Sequence, residues 1–234
     1  MDKLVNQIID SLKIHSDPKR KGFAVTVYPT SMEVIGVVNA HIKDIIREIK
    51  TETKSWSAQD KIALAKALVA TDIFECQQIA YEFLGKDIKT KKELTEADLD
   101  ALAKNLDNWV SVDGFGVYLV GPSWREGIID DQKILSYQQS ENYWIRRVAL
   151  VSTVALNLKS QGGTGDTGRT LMICTNAVSD HHDMINKALS WALRELSKRD
   201  KEVVTAFIGK HEKSMHSRVL REVRNKLETG RKYP

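Results

Sequence analysis

The sequence predicts an all-α chain, an α-solenoid of antiparallel helix pairs with a concave basic surface, folded as a single domain over residues 1–234. Three observations carry that expectation. Apolar residues recur at spacings of three and four through most of the chain, with little of the alternation that a half-buried strand needs. There are only 4 prolines, and the 28% of charged residues are mostly helix formers, as an all-α protein with wet outer faces requires. The periodic runs also arrive as consecutive pairs, at roughly the spacing of helical repeats. The pairs share no consensus, so any repeat is structural, and a compact helical bundle is the competing architecture.

Residues 2–14 place Leu4, Val5, Ile8, Ile9 and Leu12 on one face of an amphipathic helix. Ser16 to Thr30 holds Asp17-Pro18, a basic run and a Tyr-Pro step, so it reads as irregular, with residues 25–27 briefly extended. A long helical pattern runs from Met32 to Lys50, and Gly36-Val37 is where it can break. Ser57 is an N-cap for a helix through Val69, with Asp60 three residues on. Phe74 to Leu84 completes a hairpin with it. Thr95 opens a short helix ending near Leu106, and the 107–113 helix follows. Gly114 and Gly116 permit close packing there but weaken the helix, and Gly121-Pro122 is a stop signal. Runs at 129–139 and 142–159 form the next pair. The patch at 160–168, SQGGTGDTG, reads as a flexible loop. Helices at about 169–178, 182–198, 201–209 and 215–228 finish the chain, and Gly230 stops the last.

The bulk composition narrows the class. Hydrophobic residues make up 42% of the chain, enough for a sizeable core. The net charge of +4 is unevenly spread. From Lys187 onward 13 Lys/Arg face 6 Asp/Glu, while the preceding residues hold 22 against 25. A basic C-terminal stretch on a near-neutral body can be a phosphate-binding face or an ordinary solvated helix end. Cys76 and Cys174, the only cysteines, sit in apolar runs and read as small buried hydrophobes in a reducing compartment. No signal-peptide pattern and no apolar run of membrane-spanning length occurs, so a soluble, cytoplasmic protein is expected.

Four stretches carry chemistry. In DNWVSVD, Trp109 and Asp113 lie one turn apart on a shared helix face. An aromatic wall beside an acid suits a substrate that is cationic or becomes so during reaction; an interfacial Trp with a helix-terminal Asp is the structural alternative. In NYWIRR, Trp144 and Arg147 share a face and Arg146 points elsewhere, towards solvent or a neighbouring acid. Arg147 could clamp a phosphate with its fork or make a structural ion pair. Lys187, Trp191, Arg194 and Lys198 follow 4, 3, 4 spacing along one stripe, suited to a phosphate backbone or to a solvated face. In the terminal basic helix, Arg218 and Arg221, with Arg224 or Lys226, offer sequence-independent phosphate contacts. SQGGTGDTG lacks the ending of a nucleotide-binding loop. His181, His182 and Asp183 diverge on a helix and make a poor metal set.

Together DNWVSVD, WIRR and KALSWALRELSKRD, followed by HSRVLREVRNKLETGRK, resemble the AlkD-type DNA alkylation-repair glycosylases, built from HEAT-like repeats. The likeness covers most of the chain and is strongest from Asp107 on. It implies a cofactor-free, metal-free monofunctional glycosylase, a hydrolase removing cationic alkylpurines such as 3-methyladenine or 7-methylguanine from duplex DNA in base excision repair. By that resemblance Asp113 is the catalytic carboxylate, and Trp109 and Trp191 pack against the deoxyribose. Arg147 and Arg194 lie at the DNA backbone, with Lys187, Lys198, Arg218 and Arg221 as further DNA contacts. Alkylated double-stranded DNA is the expected partner of a monomer, away from membranes. A non-catalytic DNA-binding module and a protein-binding helical scaffold remain the competing readings.

Overall fold

The computed structural model describes residues 1–233. The chain divides into two compact units, Met1–Leu119 and Val120 onward.

In the first unit, α1 (Asp2–Ile14) buries Leu4, Val5, Ile8 and Leu12 of the stripe its periodicity specifies and leaves Ile9 half-buried. The next helix, α2 (Pro18–Val27), overturns the expectation of an irregular segment. Asp17 caps it, accepting from the Lys19 amide at 2.8 Å, and Pro18 sits in its first turn. There the missing N–H costs nothing and the fixed φ suits a helix. The Asp-Pro step is thus a start signal and not a breaker.

Met32 to Val38 runs non-helically before α3 (Asn39–Glu52), so the helix expected from Met32 begins only after Gly36 and Val37. Gly36 takes φ +92°, and a Cβ there would meet the Lys21 amide nitrogen at 2.6 Å. The buried Glu75 carboxylate accepts from the backbone amides of Ile35 (3.1 Å), Gly36 (2.8 Å) and Val37 (3.3 Å), which replaces the ladder these residues lack.

Two helices, α4 (Ala58–Val69) and α5 (Phe74–Gly85), pack as a hairpin, with Ser57 capping the first as its sequence specifies. Two short helices, α6 (Ile88–Lys92) and α7 (Glu96–Leu102), lie against α4. The second carries a Thr95/Asp98 capping box and ends earlier than the expected Leu106. Then α8 (Trp109–Phe115) packs on α5. Gly121-Pro122 does not stop the chain: a π-helical turn, Gly116–Val120, leads into α9 (Gly121–Arg125), with the proline in its first turn.

The second unit stacks helix pairs. They are α10 (Asp131–Gln138) with α11 (Tyr143–Asn157), α12 (Thr167–Ala177) with α13 (Asp183–Leu196), and α14 (Lys201–Lys210) with α15 (Ser217–Thr229). The second helices also pack on one another, α11 on α13 and α13 on α15, so each pair continues the core of the last. This is the repeat logic of a solenoid, carried by packing without a sequence consensus. Gly230 ends α15 at φ +74°.

The glycine-rich patch is held tightly, contrary to its flexible reading. Gly163 packs so closely on the end of α11 that a Cβ would sit 2.5 Å from the Ala155 carbonyl oxygen. Arg199 donates to the carbonyls of Asn157 (2.8 Å) and Gly163, and Arg125 to that of Gln161 (2.9 Å). Composition signals a loop, but two arginine clamps from elsewhere in the chain decide its order.

Candidate active site

Asp113 and Trp109 both lie on α8. Its start is tied down. Asn108 is buried and caps the helix, its side-chain oxygen accepting from the Ser111 amide at 2.9 Å. Asp107 accepts from Thr30 Oγ1 (2.6 Å), the Ser31 amide (2.5 Å), Ser31 Oγ (2.7 Å) and Asn108 Nδ2 (3.2 Å). Burial alone would raise the Asp107 carboxyl, yet these bonds outweigh it and hold its pKa below the usual value.

Trp109 follows directly. Its indole N–H donates to the Val27 carbonyl at 3.2 Å, and its ring meets Tyr28 edge-on, with centroids 6.0 Å apart and planes at 85°. Tyr28 in turn stacks on Phe74 at 4.9 Å. The indole is therefore held by the last carbonyl of α2 and by an aromatic bed of Tyr28, the residue after α2, backed by Phe74 of α5. Asp113 lies one turn along α8, and both side chains are half-buried. The first unit thus brings Trp109 and Asp113 onto one short, anchored helix, and α2 and Asp107 are the supports that the sequence reading did not identify. The Asp17-Pro18 step was the available signal for α2. Nothing local signals that Asp107 reaches back to residues 30 and 31.

In the second unit the remaining candidates fall on the stacked helices α11, α13 and α15. Trp191 is half-buried. Arg194 donates through Nε to Ser190 Oγ at 3.2 Å, and burial, partly offset by Glu222 and Glu195, lowers its pKa. Lys187 and Arg218 share one carboxylate, Asp183, with Lys187 Nζ at 2.8 Å. The Lys187 bond holds the Asp183 carboxyl below its ordinary pKa against burial. Lys198 pairs with Glu195 at 2.7 Å, and Arg221 is exposed. The pairs to exposed Asp183 are worth about 1 kcal/mol or less each, whereas Glu195 is buried and its pair with Lys198 is held more firmly.

Arg147 departs from its expected place as an open phosphate clamp. It is only 5% exposed and donates to the Met184 carbonyl at the start of α13, bracing α11 against α13. Arg146 goes to a neighbouring acid, its Nε 2.8 Å from Asp180. His182 caps α13 and stacks on Tyr143 at 3.9 Å, a structural role for one of the histidines considered above. Among the described residues no cluster of three His, Cys, Asp or Glu could hold a metal. No described helix is long and apolar enough to cross a membrane. Cys76 and Cys174 are free and buried; burial pushes the first thiol up to about 12 and the second further.

An all-α array of stacked helix pairs defines a helical-repeat protein; its first unit carries Trp109 and Asp113 on one short helix, and its second unit carries basic residues on consecutive second helices. Comparison with known proteins narrows the class. The family model described as DNA alkylation repair enzyme matches residues 8–227, and the chain belongs to that family. A solved structure from Enterococcus faecalis, described as a predicted DNA alkylation repair enzyme, superposes with a TM-score of 0.72 at 17% identity. The match covers 92% of this chain and 98% of that one, and at such identity it establishes the shared fold. No curated protein matches the chain significantly.

Proposed function

We propose that this protein is a monofunctional DNA glycosylase that hydrolyses the N-glycosidic bond of cationic alkylpurines, such as 3-methyladenine or 7-methylguanine, in duplex DNA. Membership of the DNA alkylation repair family supports the substrate class. The observation that carries the chemistry is the pairing of Trp109 and Asp113 on α8, both half-buried, with the indole locked by its bond to Val27 and its contact with Tyr28.

Alkylation at N3 or N7 puts positive charge on the purine before the enzyme acts. The bond from C1′ to the base nitrogen then breaks with its electron pair going to the base, which leaves neutral, while positive charge moves onto the sugar. A carboxylate at Asp113 stabilises that oxocarbenium character and orients a water. The water oxygen bonds to C1′, and its proton passes to the carboxylate and on to solvent. The electron-rich indole faces of Trp109 and, by the resemblance, Trp191 favour the same developing charge. Arg194, Lys187, Lys198, Arg218 and Arg221 are assigned to phosphates, each adding to affinity and to its salt dependence.

The test is release of free 3-methyladenine or 7-methylguanine from methylated duplex DNA, with Asp113→Asn beside the wild type. The substitution keeps size and removes charge, so single-turnover release should fall about 100- to 1,000-fold while duplex affinity changes little. Release by the Asn variant at the wild-type rate rules out the assigned chemistry. Salt-sensitive binding with no release by the wild type supports the non-catalytic DNA-binding reading instead.

A further inference from the structure

A buried carboxylate in the second unit has no part in the chemistry above. Glu222, on α15, is 3% exposed and accepts from the Ser190 hydroxyl at 2.6 Å. Ser190, on α13 and fully buried, accepts in turn from Arg194 Nε at 3.2 Å. Lys232 approaches the same Glu222 oxygen, its Nζ at 3.5 Å, and offsets the carboxylate charge. We infer that Glu222 and Ser190 are positioning residues that aim the Arg194 guanidinium at a DNA phosphate, an assignment that rests on the duplex-binding reading above.

An arginine serving stability alone, this near a buried carboxylate, would form the direct two-pronged pair that guanidinium and carboxylate geometry favours. Here the Ser190 hydroxyl stands between them and occupies only Nε. The hydrogen bond Arg194 makes among the described residues runs through Nε to Ser190, while Glu222 and Glu195 act on the guanidinium through space. Its neighbours on these helices differ: Lys187, Lys198 and Arg218 are engaged by carboxylates, and Arg147 by a backbone carbonyl. Fixing Nε lowers the freedom lost when the fork closes on a planar anion edge, and so the cost of binding. The carboxylate, hydroxyl and guanidinium come from two stacked helices, so the relay also fixes Arg194 relative to α15.

The test is duplex affinity across a salt series for wild type, Ser190→Ala, Arg194→Ala, the double variant and Glu222→Gln, with a thermal melt of each. Arg194→Ala should weaken binding about tenfold and flatten the plot of log affinity against log salt by about 0.9. Ser190→Ala should reproduce most of both changes and add nothing on the Arg194→Ala background. Glu222→Gln keeps an oxygen for the Ser190 hydroxyl and should keep the wild-type slope. A purely structural role would move melting temperatures alone. Ser190→Ala with wild-type affinity and slope, or weakening binding further when Arg194 is absent, overturns the relay while the functional reading stands. A wild type with no salt-dependent duplex binding overturns both.

Discussion

Asp107→Ala removes the anchor beneath the Trp109–Asp113 helix, and its effect can be worked from the contacts. Four donors converge on this carboxylate at 2.5–3.2 Å. A hydrogen bond to a charged group contributes about 1.5–3 kcal/mol net, which would sum past 6 kcal/mol if all four counted fully. They do not. Ser31 is exposed and Thr30 half-buried, so water replaces much of what is lost, leaving about 2 kcal/mol, or roughly thirtyfold in the folding equilibrium. The loss should depend on pH with a defined sign. The folded-state pKa of Asp107 lies below its unfolded value, so its stabilisation is fully present above the unfolded pKa of about 3.9 and is lost as pH falls through the folded value. Urea denaturation of both proteins at pH 7 and at about pH 3 is the assay, and the stability gap should narrow at the acid end. Base release per folded molecule should also fall at neutral pH, because α8 loses its tie to residues 30 and 31. A gap that is absent at pH 7, or undiminished in acid, refutes the reasoning.

Gly163→Ala should destabilise by about 2 kcal/mol, since its Cβ would press on backbone atoms of Ala155 and Leu156 that have nowhere to go. Gly168→Ala, on α12 with its nearest contact at 3.9 Å, should be neutral or slightly stabilising in the same melt. Arg147→Ala should cost about 2 kcal/mol in urea unfolding, leaving the Met184 carbonyl unpaired, and should leave the salt slope of duplex binding unchanged. A flattened slope with intact stability would return Arg147 to the phosphate-clamp role.

Legibility in the sequence followed the range of the forces involved. The stripe Leu4, Val5, Ile8 and Leu12, the Ser57 cap and the Gly230 stop are decided within one or two helical turns, and the structure places all three as read. The misreadings came where local signals are ambiguous. Asp17-Pro18 and Gly121-Pro122 each fit a break or a first turn, and both are first turns because the following residues gain helical hydrogen bonds and packed neighbours. The 160–168 loop was misread for a different reason. Arg125 and Arg199, which order it, lie more than thirty residues away in sequence, and no window over the loop contains them.

The same distinction separates the candidate site residues. Trp109 and Asp113 were visible because one helical turn relates them, whereas the Asp107 clamp spans 77 residues to Thr30 and has no sequence signature. For the basic residues, type alone was misleading: a charge stripe reads as one surface, but side-chain partners sort it into members with different uses. Arg147 donates to the Met184 carbonyl, Lys187 and Arg218 divide one carboxylate, and Arg194 donates through Nε to a serine that stands between it and Glu222. Affinity for a polyanion depends on the cost of releasing each cation from its present partner as well as on their number. Under the duplex-binding proposal, Arg194, half-buried and already oriented, should contribute more per charge than Lys187 and Lys198, each of which must first leave a carboxylate.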